Sequence, residues 1–167
     1  GRMVVRYLFE NTNHNIQIKH INNRSDSKTA AQLLKYDSIH GKFESKIKFK
    51  NNYLIINNKK ITYSQNTNLE DIKWKKYGVD YVLECSGKFN SKDKLTAHIK
   101  NGAKKVIVSA PCKNSDKTIV FGVNQKILNK TDKIISAASC TTNCLAPVVN
   151  TINNNFKLEK GFMTTIH

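Results

Sequence analysis

Two cysteines, Cys140 and Cys144, stand four residues apart in the stretch SAASCTTNCLAP (136–147). The pair could clip a metal, form half of a disulfide, fill a core or supply a nucleophile. A zinc site would want a second pair at finger spacing or a histidine inside the motif, and neither is present. The sequence shows no secretory signal, so a reducing cytoplasm is the expected setting and a disulfide framework is not. Cys140 follows an apolar run, KIISAAS (133–139), and precedes a helical pattern, TTNCLAPVVNTINNNF (141–156). That places it near a helix N-terminus, where free backbone N–H groups and the positive end of the macrodipole favour a thiolate. The same N–H groups can hold an oxyanion when the sulfur attacks a carbonyl. Cys144, one turn further on, is expected to be buried as a small apolar residue. A thiolate nucleophile works with a base, and five histidines are available: His14, His20, His40, His98 and His167. His20 and His98 fall within regular elements and read as structural or surface residues. His167 ends the alternating run GFMTTIH (161–167), the expected position of a site residue.

The elements around this motif alternate in type. The opening GRMVVRYLFE repeats its apolar residues at helical spacing, NIQIKHI (15–21) alternates as a strand, and SKTAAQLLKY (27–36) reads as a helix with Ser27 as its cap. SKIKFK, YLIIN and KKITYS are strand-like runs between 45 and 64, with Asn-containing steps suited to hairpin turns. VDYVLECSG (79–87), KKVIVSAP (104–111), TIVFGVN (118–124) and KIISAAS follow as strand candidates, with a helix over 91–103 that stops at Asn101-Gly102. Strands alternating with helices predict an α/β doubly wound sheet, in which ligands bind at the carboxyl ends of the strands. Three strands end in small residues, CSG, SAP and SC, which let a ligand approach the backbone.

The chain has 167 residues, enough for one domain with a core. Its formal net charge is +16, with 25 Lys, 3 Arg and 21 Asn. The lysines are scattered, arginine is scarce and no nucleic-acid-binding motif is present, so the charge reads as compositional bias rather than as a nucleic-acid interface. No run approaches the length of a membrane span. Both ends fall inside patterned elements, which reads as a fragment of a longer protein.

SAASCTTNCLAP resembles the active-site signature of phosphorylating glyceraldehyde-3-phosphate dehydrogenases. LLKYDSIHGKF (33–43), VLECSGKF (82–89), HIKNGAKKVIVSAP (98–111), FGVN (121–124) and GFMTTIH resemble that family's segments in the same order. The resemblance implies a truncated Rossmann-type fold: an NAD(P)-binding domain over 1–144, then the start of a catalytic domain over 145–167, opening with the first strand of a second α+β domain. It implies Cys140 as nucleophile and His167 as the histidine that activates it, with Ser139 and Thr141 holding substrate. Gly1, Asn23, Arg24, Ser86, Gly87 and Ser109 fall at cofactor positions, and no metal is implied. The implied reaction converts glyceraldehyde 3-phosphate and inorganic phosphate, through a cysteine thioester, to 1,3-bisphosphoglycerate. The enzyme would be a cytoplasmic homotetramer, and the fragment alone is expected to be inactive. Alternatives are an erythrose-4-phosphate dehydrogenase, a cysteine hydrolase or a basic nucleic-acid binder. The chain departs from the family pattern at Asn23, where NAD-preferring folds place a carboxylate. The resemblance makes NAD the expected cofactor, and the departure at Asn23 leaves NADP open as well.

Overall fold

The structure is a computed structural model and describes residues 1–166. The chain divides into two compact units, Gly1–Asp80 with Ala97–Lys104, and Tyr81–Thr96 with Lys105 onward.

The first unit begins with helix α1 (Arg2–Glu10), followed by the short strand β1 (His20–Asn22) and helix α2 (Ser27–Lys35). The predicted strand over 15–21 is thus shortened to its last residues and shifted by one. Strand pairing decides this: only His20–Asn22 find ladder partners, in strand β6 (Lys59–Ser64). The cap of α2 is also not Ser27. Asp26 Oδ1 accepts the Thr29 N–H at 2.6 Å, and Ser27 is the buried first helical residue. A carboxylate one residue earlier takes the orphan donor.

A small antiparallel pair, β2 (Tyr36–Asp37) and β3 (Gly41–Lys42), leads into β4 (Ile47–Lys50) and β5 (Tyr53–Ile56). The sheet order is β1-β6-β5-β4, parallel at β1–β6 and antiparallel elsewhere. Two-residue loops close both hairpins, and in the second Asn57 and Asn58 have φ of 46° and 66°. Asn tolerates this left-handed backbone, which matches the strand twist. Alternation sends Leu54, Ile56, Ile61 and Tyr63 inward against Ala31 and Leu34 of α2 and against Phe43. Each large side chain buried there contributes roughly 1.5–3 kcal/mol. Arg6 of α1 is buried over the Phe43 ring and donates to the carbonyls of Gly41 and His40, which fixes the β2–β3 turn. Residues 45–64 hold five lysines and no carboxylate, and Lys48 and Lys50 are exposed on edge strand β4. The rest of the unit includes a 3-10 turn at Trp74–Tyr77. There Trp74 Nε1 donates to Nδ1 of buried His98 at 2.9 Å, and Tyr77 stacks on His20 with ring centroids 3.8 Å apart. Both histidines are therefore structural.

The second unit is a fully parallel sheet, β7-β8-β10-β9, built from β7 (Tyr81–Glu84), β8 (Lys105–Val108), β9 (Lys117–Thr118) and β10 (Ile134–Ser136). Its core strands are buried, but edge strand β7 alternates, with Tyr81 and Leu83 exposed. Of TIVFGVN, Thr118 alone lies in a strand. Asn124 Oδ1 accepts the Val120 N–H, and residues 121–124 turn instead. Helix α3 (Lys92–Lys100) begins in this unit and its last residues belong to the first, where Gly102 has φ of +107° and a close approach to Lys75 that leave no room for a Cβ. Helix α4 (Cys140–Phe156) carries Pro147 within it and buries none of its residues. Cys144 is accordingly exposed rather than buried, because none of the described residues covers that face. Residues 157–166 form no helix or strand, so the strand expected at GFMTTIH finds no ladder partner among the described residues. No helix among the described residues is long and apolar enough to cross a membrane.

Candidate functional site

Register builds the site in the second unit. Glu84 pairs with Val108, and Val108 with Ser136, so β7, β8 and β10 end level. Ser86-Gly87, Ser109 and Ser139-Cys140 follow those ends on the same edge of one parallel sheet. Backbone bonds tie the ends together: Ser109 N–H donates to Glu84 O at 3.0 Å, and Ala137 N–H to Val108 O at 2.8 Å. Buried Ser136 donates its hydroxyl to Ala110 O at 2.8 Å and accepts the Ala138 N–H. The cleft here is lined by Pro111, Cys112, Thr118, Ala138, Ser139 and Thr142, among others. A crevice at strand carboxyl ends is where this class of sheet binds ligands.

The turn into α4 is tightly specified. Ala138 is buried with φ of 62°, a left-handed backbone that costs a non-glycine residue about 1–3 kcal/mol. Ser139 caps the helix, its Oγ accepting the Thr142 N–H at 3.0 Å and lying 2.7 Å from Thr142 Oγ1. Asn143 Nδ2 donates to Ala137 O at 2.8 Å and Ser139 O at 2.9 Å. Cys140 is the first helical residue and is exposed, with Thr141 Oγ1 3.9 Å from its sulfur. Ala138, Ser136 and Asn143 were not singled out from sequence. An Asn four residues past a capping Ser was the signal for the last; the strained alanine left none. Cys112 is a contrasting thiol: burial pushes its pKa up. Among the described residues no group of three or more His, Cys, Asp and Glu could hold a metal. His167 lies outside the described residues.

At the end of β7, Ser86 N–H donates to Glu84 Oε1 at 2.7 Å, Ser86 Oγ accepts the Lys88 N–H, and Gly87 has φ of +71°. Ser86, Gly87 and Ser109 are all exposed. In the first unit, Gly1 is exposed at the N-terminus of α1, which has no side-chain cap and no acidic residue in its first turn. At the end of β1, the Asn22 carboxamide is bonded to its neighbours on both its oxygen and its nitrogen. Its Oδ1 accepts from Ser64 Oγ and Asn66 N–H, and its Nδ2 donates to Asn66 O. Asn23 and Arg24 are exposed. Within the first unit these groups fit parts of a dinucleotide, a helix terminus with no side-chain cap for a pyrophosphate and an exposed amide for ribose hydroxyls.

Comparison with known proteins agrees. Residues 1–92 match the family model "Glyceraldehyde 3-phosphate dehydrogenase, NAD binding domain", and residues 139–167 match the family's C-terminal domain. The whole chain is 45% identical over 167 residues to glyceraldehyde-3-phosphate dehydrogenase of Clostridium pasteurianum, covering 49% of that protein. It is 42% identical to the enzyme of Thermotoga maritima, covering 50%, and 45% identical to that of Mycoplasma pneumoniae, covering 49%. The chain spans about half the length of the curated relatives it matches. NAD is the cofactor of the matched domain, and the residues described above suit it. With more than half of its residues matched by the first family model, the chain belongs to the glyceraldehyde 3-phosphate dehydrogenase family.

Proposed function

We propose that the full-length protein is a glycolytic, phosphorylating glyceraldehyde-3-phosphate dehydrogenase with Cys140 as its nucleophile. The observation that supports this most is the exposed Cys140 thiol at the first position of α4, presented by a strained, capped turn. The Cys140 sulfur adds to the aldehyde carbon, and the carbonyl oxygen becomes the hydroxyl of a hemithioacetal. In this reading, free backbone N–H groups at the start of α4 stabilise the oxygen as charge develops. Ser139 and Thr141 flank the sulfur. Ser139 is already committed to capping, so Thr141 is the freer of the two to contact substrate. His167 takes the hydroxyl proton as the carbon is oxidised to a thioester on Cys140. NAD, when bound, supplies the two-electron acceptor for that oxidation. A phosphate oxygen then attacks the thioester carbon, and Cys140 leaves as thiolate to complete an acyl phosphate. Sulfur suits both steps, being a strong nucleophile and a good leaving group.

The test is phosphate-dependent NAD reduction by the full-length protein with glyceraldehyde 3-phosphate, in wild type and Cys140→Ala. The variant should lose activity by about 10⁴-fold or more. Equal turnover without phosphate, or an active Cys140→Ala, would remove the assignment. Faster turnover with erythrose 4-phosphate would move the substrate to that aldehyde.

A further inference from the structure

We infer that the turn from β1 into α2 is a subsite for a phosphate on the adenosine ribose, so that the enzyme binds NADP as well as NAD. This rests on the dinucleotide-binding reading above. Folds of this type reject the 2′-phosphate with a carboxylate about 20 residues past the fingerprint glycines. In this chain that place is held by the amide of Asn23, which carries no charge. Asn22 cannot substitute, since Ser64 and Asn66 occupy its carboxamide.

The nearest carboxylate in sequence, Asp26, is turned to the helix: its Oδ1 accepts the Thr29 N–H at 2.6 Å. It is the only acidic residue between 11 and 36. Positive and neutral donors remain. Asn23 Nδ2 donates to Ser25 Oγ at 3.0 Å, which leaves the Ser25 hydroxyl hydrogen free to donate outward. Arg24 is exposed, and among the described residues no carboxylate lies within ion-pair distance of it. A guanidinium matches a phosphate's oxygens with two parallel donors.

The turn itself is held in place. Asn23 N–H donates to Ser64 O at 3.0 Å, and Tyr63 hydroxyl donates to Ser25 O at 2.6 Å. Three donor-bearing side chains therefore stand on an anchored backbone, so binding a phosphate needs little further ordering.

The experiment is calorimetric titration of the full-length protein with NAD, NADP, 5′-AMP and adenosine 2′,5′-bisphosphate. Wild type should bind NADP within about tenfold of NAD. Asn23→Asp should widen the NADP-to-NAD ratio of dissociation constants by about 30-fold or more, and Arg24→Ala by about tenfold. The bisphosphate should follow NADP, and 5′-AMP should follow NAD. If wild type binds NAD but rejects NADP as strongly as Asn23→Asp does, the subsite is refuted while the dehydrogenase reading stands. If neither dinucleotide binds, both fall.

Discussion

Two strand-to-helix junctions carry the residues singled out above, and they are built differently. Between β10 and α4 only three residues intervene, one of them in left-handed backbone, and the exposed Cys140 opens the helix. Between β1 and α2 there are four, none with positive φ, and Asn23, Arg24 and Ser25 project from an unstrained turn. Each junction uses an asparagine carboxamide to hold backbone and a short polar side chain to cap the helix. The cap is a neutral hydroxyl at Ser139 and an ionised carboxylate at Asp26. A short, strained connection suits a group that must sit in one place. A longer, relaxed one suits side chains that receive a ligand's periphery.

The largest test of that contrast is chemical. Brief alkylation of the full-length protein with iodoacetamide should label Cys140 at least tenfold faster than Cys144 or Cys112. Cys144 shares the helix and the exposure but lies one turn from the N-terminal amides, and burial pushes the Cys112 thiol pKa up. Peptide mapping that finds equal label at 140 and 144 would mean that the junction confers nothing on its cysteine.

Backbone strain gives the next effect. Ala138→Val should destabilise by about 1–3 kcal/mol, because a β-branched side chain is excluded from left-handed backbone, whereas Ala138→Gly should be neutral or stabilising. Ser25→Val, in the other junction, should stay within about 0.5 kcal/mol. Denaturant melts of the three variants would show whether strain is confined to the β10–α4 turn. Asn143→Ala should cost about 1 kcal/mol through its two lost carbonyl bonds and should also slow Cys140 alkylation. A stability loss with unchanged alkylation would make Asn143 a mere staple.

Acid should separate the junctions most gently. The Thr29 backbone N–H holds the Asp26 carboxyl below its ordinary range. Its contribution is present above the ordinary carboxylate pKa and fades as pH falls through the folded value. His20, two residues before Asn22 in β1, has its pKa lowered to about 4 by burial. The unfolded chain binds its proton more readily, so stability should drop as pH falls from 6.5 toward about 4. Its ring lies 2.8 Å from both Thr62 Oγ1 and Ser64 Oγ, and Ser64 in turn bonds Asn22. Thermal melts across pH 7 to 3 should show a shallower slope below pH 4 in Asp26→Asn, which keeps the cap without the charge. Ser139→Ala should shift the midpoint equally at all pH values. An Asp26→Asn slope identical to wild type would remove the carboxylate from the account.

Much of this was legible in the sequence because it depends on local pattern. Period-2 alternation found β4, β5 and β6, Asn-containing steps found the hairpin turns, and the apolar run before Cys140 found β10 and the start of α4. What the sequence concealed depends on partners far along the chain. NIQIKHI alternates well enough for a strand, but only three residues meet β6. TIVFGVN is apolar enough for one, but Asn124 folds back onto Val120 and ends it. Cys144 has the residue type of a core position, yet burial is a property of what covers a helix. At the site, the place of Cys140 at the start of a helix showed through the sequence pattern, whereas the capping role of Ser139 did not. The left-handed Ala138 did not, because nothing in an alanine's chemistry announces that backbone.

The lysine-only ladder over residues 45–64 has a consequence for how copies of this molecule meet. Among the described residues no strand pairs with the outer side of β4, which ends the sheet as an open edge, a template on which another strand could grow. Any copy approaching edge to edge would set Lys48 and Lys50 against the same two ammonium groups, with no carboxylate on the ladder to relieve them. The charge that reads as compositional bias thus sets like against like at an open sheet edge, which opposes edge-to-edge pairing.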